Sequence, residues 1–330
     1  MARRQCQHSE EQTHRRPVAA LLTVPAAVVQ FGLLMIVTHH LGHFVELKDP
    51  SRETPLWRYV YGGKPKPFFH PLCTPAGHVL SLFEPHDHVW HRGLWFTIKF
   101  INGQNFWEER PPFGTQRTSV PPTVTHGAAG QSSVFSAIDW TSPDASSVVI
   151  REQRLFTYRP IDATSYAIDF TFILNPQLEL LLDRTVFTTW GGYGGLIFRG
   201  TRNWQESRLL FSDGTTSDRP TPKIANWCDL SGKLDGGPNQ TGGIAIFDHP
   251  QNVRHPTPWY GATGPGHYFN AAFLFNEPMR LAAGEKLVLR YRVLVHDGIL
   301  ETDALNQRYE QYSRDGVGPT AASDIPAVGS

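Results

Sequence analysis

Apolar and polar positions alternate along most of the chain from residue 44 onward. Over residues 94–101, Leu94, Phe96, Ile98 and Phe100 fall on one face and Trp95, Thr97, Lys99 and Ile101 on the other. A period of two predicts a β-strand, because successive side chains point to opposite faces. Asn102-Gly103 follows at once; both residues tolerate the positive φ of a type I′ hairpin turn, and 104–108 is the expected return strand. The same reading predicts strands over 147–158, 165–174, 184–190, 195–199, 243–247, 268–275 and 286–296. In the last of these, Leu287, Leu289, Tyr291, Val293 and Val295 share a face. Helical spacing is found over 302–313, where Leu305, Tyr309 and Tyr312 recur. The 29 glycines and 26 prolines sit mainly between these runs, as turn chemistry requires.

These elements predict an all-β chain: a large antiparallel β-sandwich with one short C-terminal helix. Too few helices are present for a βαβ nucleotide fold, and neither a GxGxxG nor a Walker loop occurs, so no nucleotide cofactor is expected. No repeat or linker divides residues 44–315, which are read as a single domain, and 316–330 as a flexible tail.

The first 43 residues form an extension of a different kind. Arg3, Arg4, Arg15 and Arg16 precede an apolar segment, 18–37, interrupted by Thr23, Pro25 and Gln30. About 20 apolar residues suffice to span a bilayer. The segment is read as a signal, an anchor, a mis-called start or a strand buried in the fold. A signal or anchor places the chain outside the cytoplasm or on a membrane; otherwise it is cytoplasmic. Membrane contact is expected through this segment alone.

Composition narrows the partners. Lys+Arg and Asp+Glu balance at 30 each, and no basic run occurs, which argues against nucleic acid. Cys6, Cys73 and Cys228 are far apart without CxxC spacing, so they form neither a disulfide framework nor a zinc knuckle.

The chemistry concentrates between residues 67 and 93. Five of the fifteen histidines (His70, His78, His86, His88 and His91) lie here beside Asp87, Trp90 and Arg92. Imidazole titrates near neutrality and also binds metals, so such a cluster supplies acid, base or ligands. In an extended chain His86 and His88 share a face; a turn at Val89-Trp90 would instead bring His88 to His91. An isolated histidine more often satisfies a buried carbonyl, but four within fourteen residues beside Asp87 and Arg92 favour a site.

Three further groups stand out. Asp248 and His249 end a strand, and Asn252, Arg254, His255 and Trp259 follow on a loop stiffened by Pro250, Pro256 and Pro258. Trp190 and Tyr193 lie in a glycine-rich run followed by Arg199, offering flat faces on which sugar rings stack. Glu108 or Glu109, across the hairpin from Trp95, is placed to approach the histidines. Ordinary readings compete with each: a strand-end turn, a bulge packing aromatics inward, and an exposed Glu pair.

Lys66-Pro-Phe-Phe-His-Pro71, Thr74-Pro-Ala-Gly77, Asp87-His-Val-Trp-His-Arg-Gly-Leu-Trp95 and Asn102-Gly-Gln-Asn-Phe-Trp107 form an ordered set of motifs. Asp248-His-Pro, Asn252-Val-Arg-His-Pro-Thr-Pro-Trp259 and Tyr291-Arg-Val-Leu-Val-His-Asp-Gly298 continue it. Together, from about residue 55 to 298, they resemble the DUF6807 family, often labelled methane oxygenase PmoA. The resemblance implies a soluble sandwich of the galactose-mutarotase-like kind, linked with bacterial carbohydrate catabolism. It supplies no catalytic residues, and the usual histidine and glutamate motifs of aldose 1-epimerases are not found in a matching arrangement.

The resulting expectation is a carbohydrate-active enzyme performing hydrolysis, elimination or epimerisation on a sugar or oligosaccharide. His88 and His91 act as base and acid, Asp87 orients one imidazole, and Arg92 and Arg254 stabilise negative charge. Trp90, Trp95 and Trp259 form a platform. His70, Glu108, Tyr193, Arg199, Asp248 and His249 complete the cleft. Two alternatives stand beside it. One is a metal-dependent oxidoreductase or oxygenase, as the family label suggests, holding a divalent metal with His88, His91 and His249. The other is a non-catalytic carbohydrate-binding module, which needs the aromatics but not the imidazoles.

Overall fold

The computed structural model describes residues 26–30, 33–185, 192–218, 222–234, 240–264 and 266–314. The expected tail 316–330, Trp190 and most of the expected strand 184–190 lie outside these residues.

Among the described residues, two ten-stranded antiparallel sheets face each other. The first runs Ala26–Gln30, Leu33–His40, Phe44–Lys48, Trp57–Val60, Phe68–Leu72, Leu94–Ile98, Gly194–Arg199, Tyr268–Ala271, Pro258–Ala262 and Lys223–Ile224. The second is built around Ser132–Thr141, Val148–Asp162, Ser165–Pro176, Leu287–Asp297, Thr241–Asp248, Trp227–Lys233 and Gln205–Phe211. A small sheet joins Met279–Leu281, Leu180–Asp183, Phe100–Ile101 and Gln104–Asn105. Asn102 and Gly103 both have positive φ, as the hairpin reading requires. The return strand stops at Asn105 because its Oδ1 accepts the backbone N–H groups of Trp107 and Glu108, turning the chain away.

Alternation decides what each sheet buries. Leu94, Phe96 and Ile98 enter the inter-sheet core with Trp57, Tyr59 and Phe69, and meet Phe156, Phe170, Phe172, Leu289, Tyr291 and Val293 from the second sheet. Phe96 stacks on Phe172 at 4.2 Å between centroids. The helix Thr302–Arg314 covers the opposite face of the second sheet, where Leu305, Tyr309 and Tyr312 pack on Trp227, Phe247 and Leu294. The first sheet also carries an aromatic cluster on its outer face: Phe68, Trp95, Ile197, Tyr260 and Tyr268, with Trp90 and Trp107.

The expected boundary at residue 43 falls inside a hairpin. Leu33–His40 pairs with Phe44–Lys48, and Met35 and Val37 are core residues, buried by the period-two pattern of the strand. No helix among the described residues is long and apolar enough to cross a membrane.

Candidate active site on the outer face of the first sheet

Residues 84–91 fold over that aromatic face in two successive turns. The His88 N–H donates to the Pro85 carbonyl at 2.9 Å and the His91 N–H to the His88 carbonyl at 2.9 Å. The loop is closed at its base by the Glu84 N–H on the His91 carbonyl and by the Phe83–Arg92 bridge. The turn at Val89-Trp90 therefore exists, and it stacks the His88 and His91 rings at 4.7 Å and 30°. Gly93 follows because a Cβ there would lie 2.3 Å from the Phe69 carbonyl oxygen, at a φ of +71°.

The two imidazoles have different surroundings. His91 is 3% exposed, with Trp95 at 5.1 Å and Tyr268 stacked at 5.6 Å. Burial, then the charges of Arg199, His88 and Lys66, hold its pKa well below the ordinary imidazole value, so it is neutral. His88 is partly open to solvent, its Nδ1 3.2 Å from Asp87 Oδ2. Asp87 also accepts from Arg199 Nη2 at 3.2 Å and Arg202 Nη2 at 2.6 Å. Partial burial opposes its ionisation, but His88 and Arg199 outweigh that and hold its pKa at about 2.

Beneath the loop, Arg92 is buried and fully engaged. Its Nε donates to Glu109 Oε1 at 2.8 Å, its Nη2 to Glu109 Oε2, and its Nη1 to Glu84 Oε1 at 2.7 Å. Lys66 Nζ donates to the Trp107 carbonyl at 2.8 Å and lies 3.4 Å from Glu109. Burial pulls the Lys66 pKa down to about 8 against the pull of Glu109. Tyr193 forms a wall, stacked on Trp107 at 4.5 Å. Asn270 Nδ2 holds that turn by donating to the Gly192 and Gly194 carbonyls. His70 bonds Ser81 through Nδ1 at 2.8 Å and lines an adjoining groove of about 290 Å³ with Phe44, Arg58, Lys64, Phe68 and Phe83. Burial, then Arg58, lowers the His70 pKa to about 4.

A family model described as a family of unknown function, DUF6807, matches residues 50–310. The chain belongs to the DUF6807 family. Among solved structures, this DUF6807 chain is similar to a galactose mutarotase related enzyme from Lactobacillus acidophilus, at 6% identity over 84% of this chain and 99% of that one, with a TM-score of 0.38. It is also similar to a heparan sulfate lyase HepC mutant from Pedobacter heparinus, at 9% identity over 86% of this chain and 36% of the lyase, with a TM-score of 0.32. No curated protein matches the sequence. At such identities and TM-scores these likenesses carry no argument about reaction or substrate, which rests on the side chains of the chain itself.

The fold gathers His88, His91, Asp87, Arg92, Trp90, Trp95, Tyr193, Arg199 and, at one edge, His70. Two of these differ from expectation in role. Arg92 spends its donors on Glu84 and Glu109, and Trp95, 2% exposed, is the bed under His91 rather than an open platform. Glu108 pairs with Lys99, and Glu109 is the carboxylate that closes on the histidine segment.

The proline-stiffened loop is elsewhere. Asp248 is buried and accepts from Asn252 Nδ2, the Thr257 N–H and His255, so it knits the loop instead of facing a ligand. Arg254 donates to the carbonyls of Phe273, Glu277 and Pro278, which leaves it committed to the backbone. Trp259 points into the inter-sheet core, its Nε1 on the Ala225 carbonyl at 2.7 Å. Its neighbour Tyr260 takes the outer face, opposite Asn270. His249 packs on Tyr312 under the C-terminal helix, on the other side of the sandwich. The proposed ligand trio of His88, His91 and His249 is therefore not brought together, and no group of three or more His, Cys, Asp and Glu side chains among the described residues could hold a metal ion.

Lys66, Tyr260 and Tyr268 were not foreseen as parts of the site. Strand parity carries the signal for the two tyrosines: register pairs Ile197 with both Trp95 and Asn270, and Arg199 with Tyr268, which places all of them on the outer face.

Proposed function

We propose that this chain is a carbohydrate-active enzyme performing acid/base chemistry on a sugar held against the outer face of the first sheet. The observation that carries the reading is the stacked His88–His91 pair, one ring buried and neutral, the other solvent-facing beside an ionised carboxylate. A pair of titratable groups in contrasting environments is how one site supplies both a proton acceptor and a proton donor. Neutral His91 has a lone pair to accept a proton. Asp87, 3.2 Å from His88 Nδ1, orients that ring to give a proton to the substrate as His91 takes one. Tyr193, half-buried and stacked on Trp107, offers a flat face to sugar C–H groups. Arg199, bonded to Asp87 through only one nitrogen, is the charge that acts most strongly on His91 and stabilises negative charge that develops on the substrate.

Turnover of a panel of mono- and oligosaccharides, followed by proton NMR, tests this. His88→Ala and His91→Ala should each lower the rate by about 100-fold or more with the fold intact. Full activity in both variants refutes the assignment. Sugar binding that survives loss of both rings, with no turnover in the parent chain, favours a binding module instead.

A further inference from the structure

We propose that the sugar bound at this site carries a carboxylate, so that the substrate is a uronic acid or another sugar acid seated against Arg199. This rests on the sugar reading above and names its substrate class.

The first support is charge. Lys64, Lys66, Arg92, Arg110, Arg199 and Arg202 gather around the loop against Glu84, Asp87 and Glu109, six cations to three carboxylates. Lys99 with Glu108, and Arg58 with Glu46, cancel as pairs at the margins. A chain balanced at 30 and 30 therefore holds a local surplus of positive charge at its candidate site. Such a surplus attracts anions and raises their local concentration.

The second support is the hydrogen-bond inventory. Every carboxylate of the site is already engaged: Glu109 by Arg92 and Lys66, Glu84 by Lys64 and Arg92, Asp87 by Arg199 and Arg202. Three of the unpartnered polar atoms left here are pure donors. Arg199 Nε, Trp90 Nε1 and Trp95 Nε1 are buried without a hydrogen-bond partner among the described residues. Indole and guanidinium N–H groups only donate, so they call for acceptor oxygens. A carboxylate brings only acceptors and so answers donors of this kind, whereas each neutral sugar hydroxyl brings a donor of its own as well. Burial of His91 in its neutral form keeps its lone pair available beside these cations.

Isothermal titration of the full chain with D-glucuronate and D-galacturonate, against D-glucose and D-galactose and the corresponding disaccharides, tests the proposal. The acids should bind at least tenfold more tightly than the neutral sugars, and the ratio should shrink as salt is raised. Trp90→Phe, which keeps an aromatic side chain but removes the N–H, should cut the preference several-fold, and Arg199→Gln should abolish it. The parent chain's own selectivity and salt response decide the matter if Arg199→Gln fails to fold. Neutral sugars binding as well as the acids would overturn this proposal and leave the sugar reading standing. No binding of any of these compounds would overturn both.

Discussion

Replacing Lys66 by methionine keeps the unbranched stem, removes the charge and should change how stability responds to alkali. The Lys66 ammonium is 3% exposed, with the Trp107 carbonyl and Glu109 as partners and Arg92 repelling it. Its pKa falls from 10.5 to about 8 on folding, which at 1.36 kcal/mol per unit corresponds to about 3 kcal/mol. A lysine with a depressed folded pKa costs stability wherever both states are protonated, below about pH 8. Between about pH 8 and 10.5 the unfolded chain holds a proton that the folded chain has shed, so stability attributable to this group rises with pH. The unfolding free energy of the parent, measured relative to Lys66→Met, should thus increase by about 2–3 kcal/mol between pH 7 and pH 10. Urea titrations of both chains at the two pH values, read by tryptophan fluorescence, measure it. Parallel pH profiles, or a parent that loses ground to the variant as pH rises, would refute the picture of a buried, strained ammonium under the site.

Two further substitutions separate scaffold from site. Asp248→Ala strands the donors of Asn252, Thr257 and His255 and should destabilise the chain by about 3–5 kcal/mol in urea. Sugar affinity of the folded fraction should be unchanged, and a selective loss of affinity would return Asp248 to the site. Gly195→Ala places a Cβ 2.0 Å from the Ala271 carbonyl oxygen at a φ of +97°. It should cost about 3 kcal/mol or more by thermal melting and disturb the Tyr193 wall, and a parent-like melt would contradict the register drawn here.

The fold was largely legible because alternation separates the two faces of a strand, even where both are buried. The helix Thr302–Arg314 is a clear case: its apolar stripe in sequence is its buried face in space. The His88–His91 encounter was legible too, since i and i+3 across a tight turn are close whatever surrounds them. Which face of a strand meets the core and which meets a ligand depends on register with distant strands. Trp259 illustrates the limit. Its proline-rich context suggested a displayed aromatic, but pairing with Tyr268–Ala271 turns it inward and Tyr260 outward. Arg92, Arg254 and Asp248 misled in another way: a charged side chain in a suggestive motif looks free until its partners, which come from remote segments, are known. Lys66 and Glu109 meet across 43 positions of sequence and share no local pattern.

The central claim is that the outer face of the first sheet, and not the loop after Asp248, receives the sugar. Histidine ring resonances, followed by NMR during titration with the sugar that binds best, test this most directly. The His88 and His91 signals should shift while those of His249 and His255, across the sandwich, stay fixed. Shifts confined to His249 and His255, or a saturating sugar that moves none of the four, would contradict it.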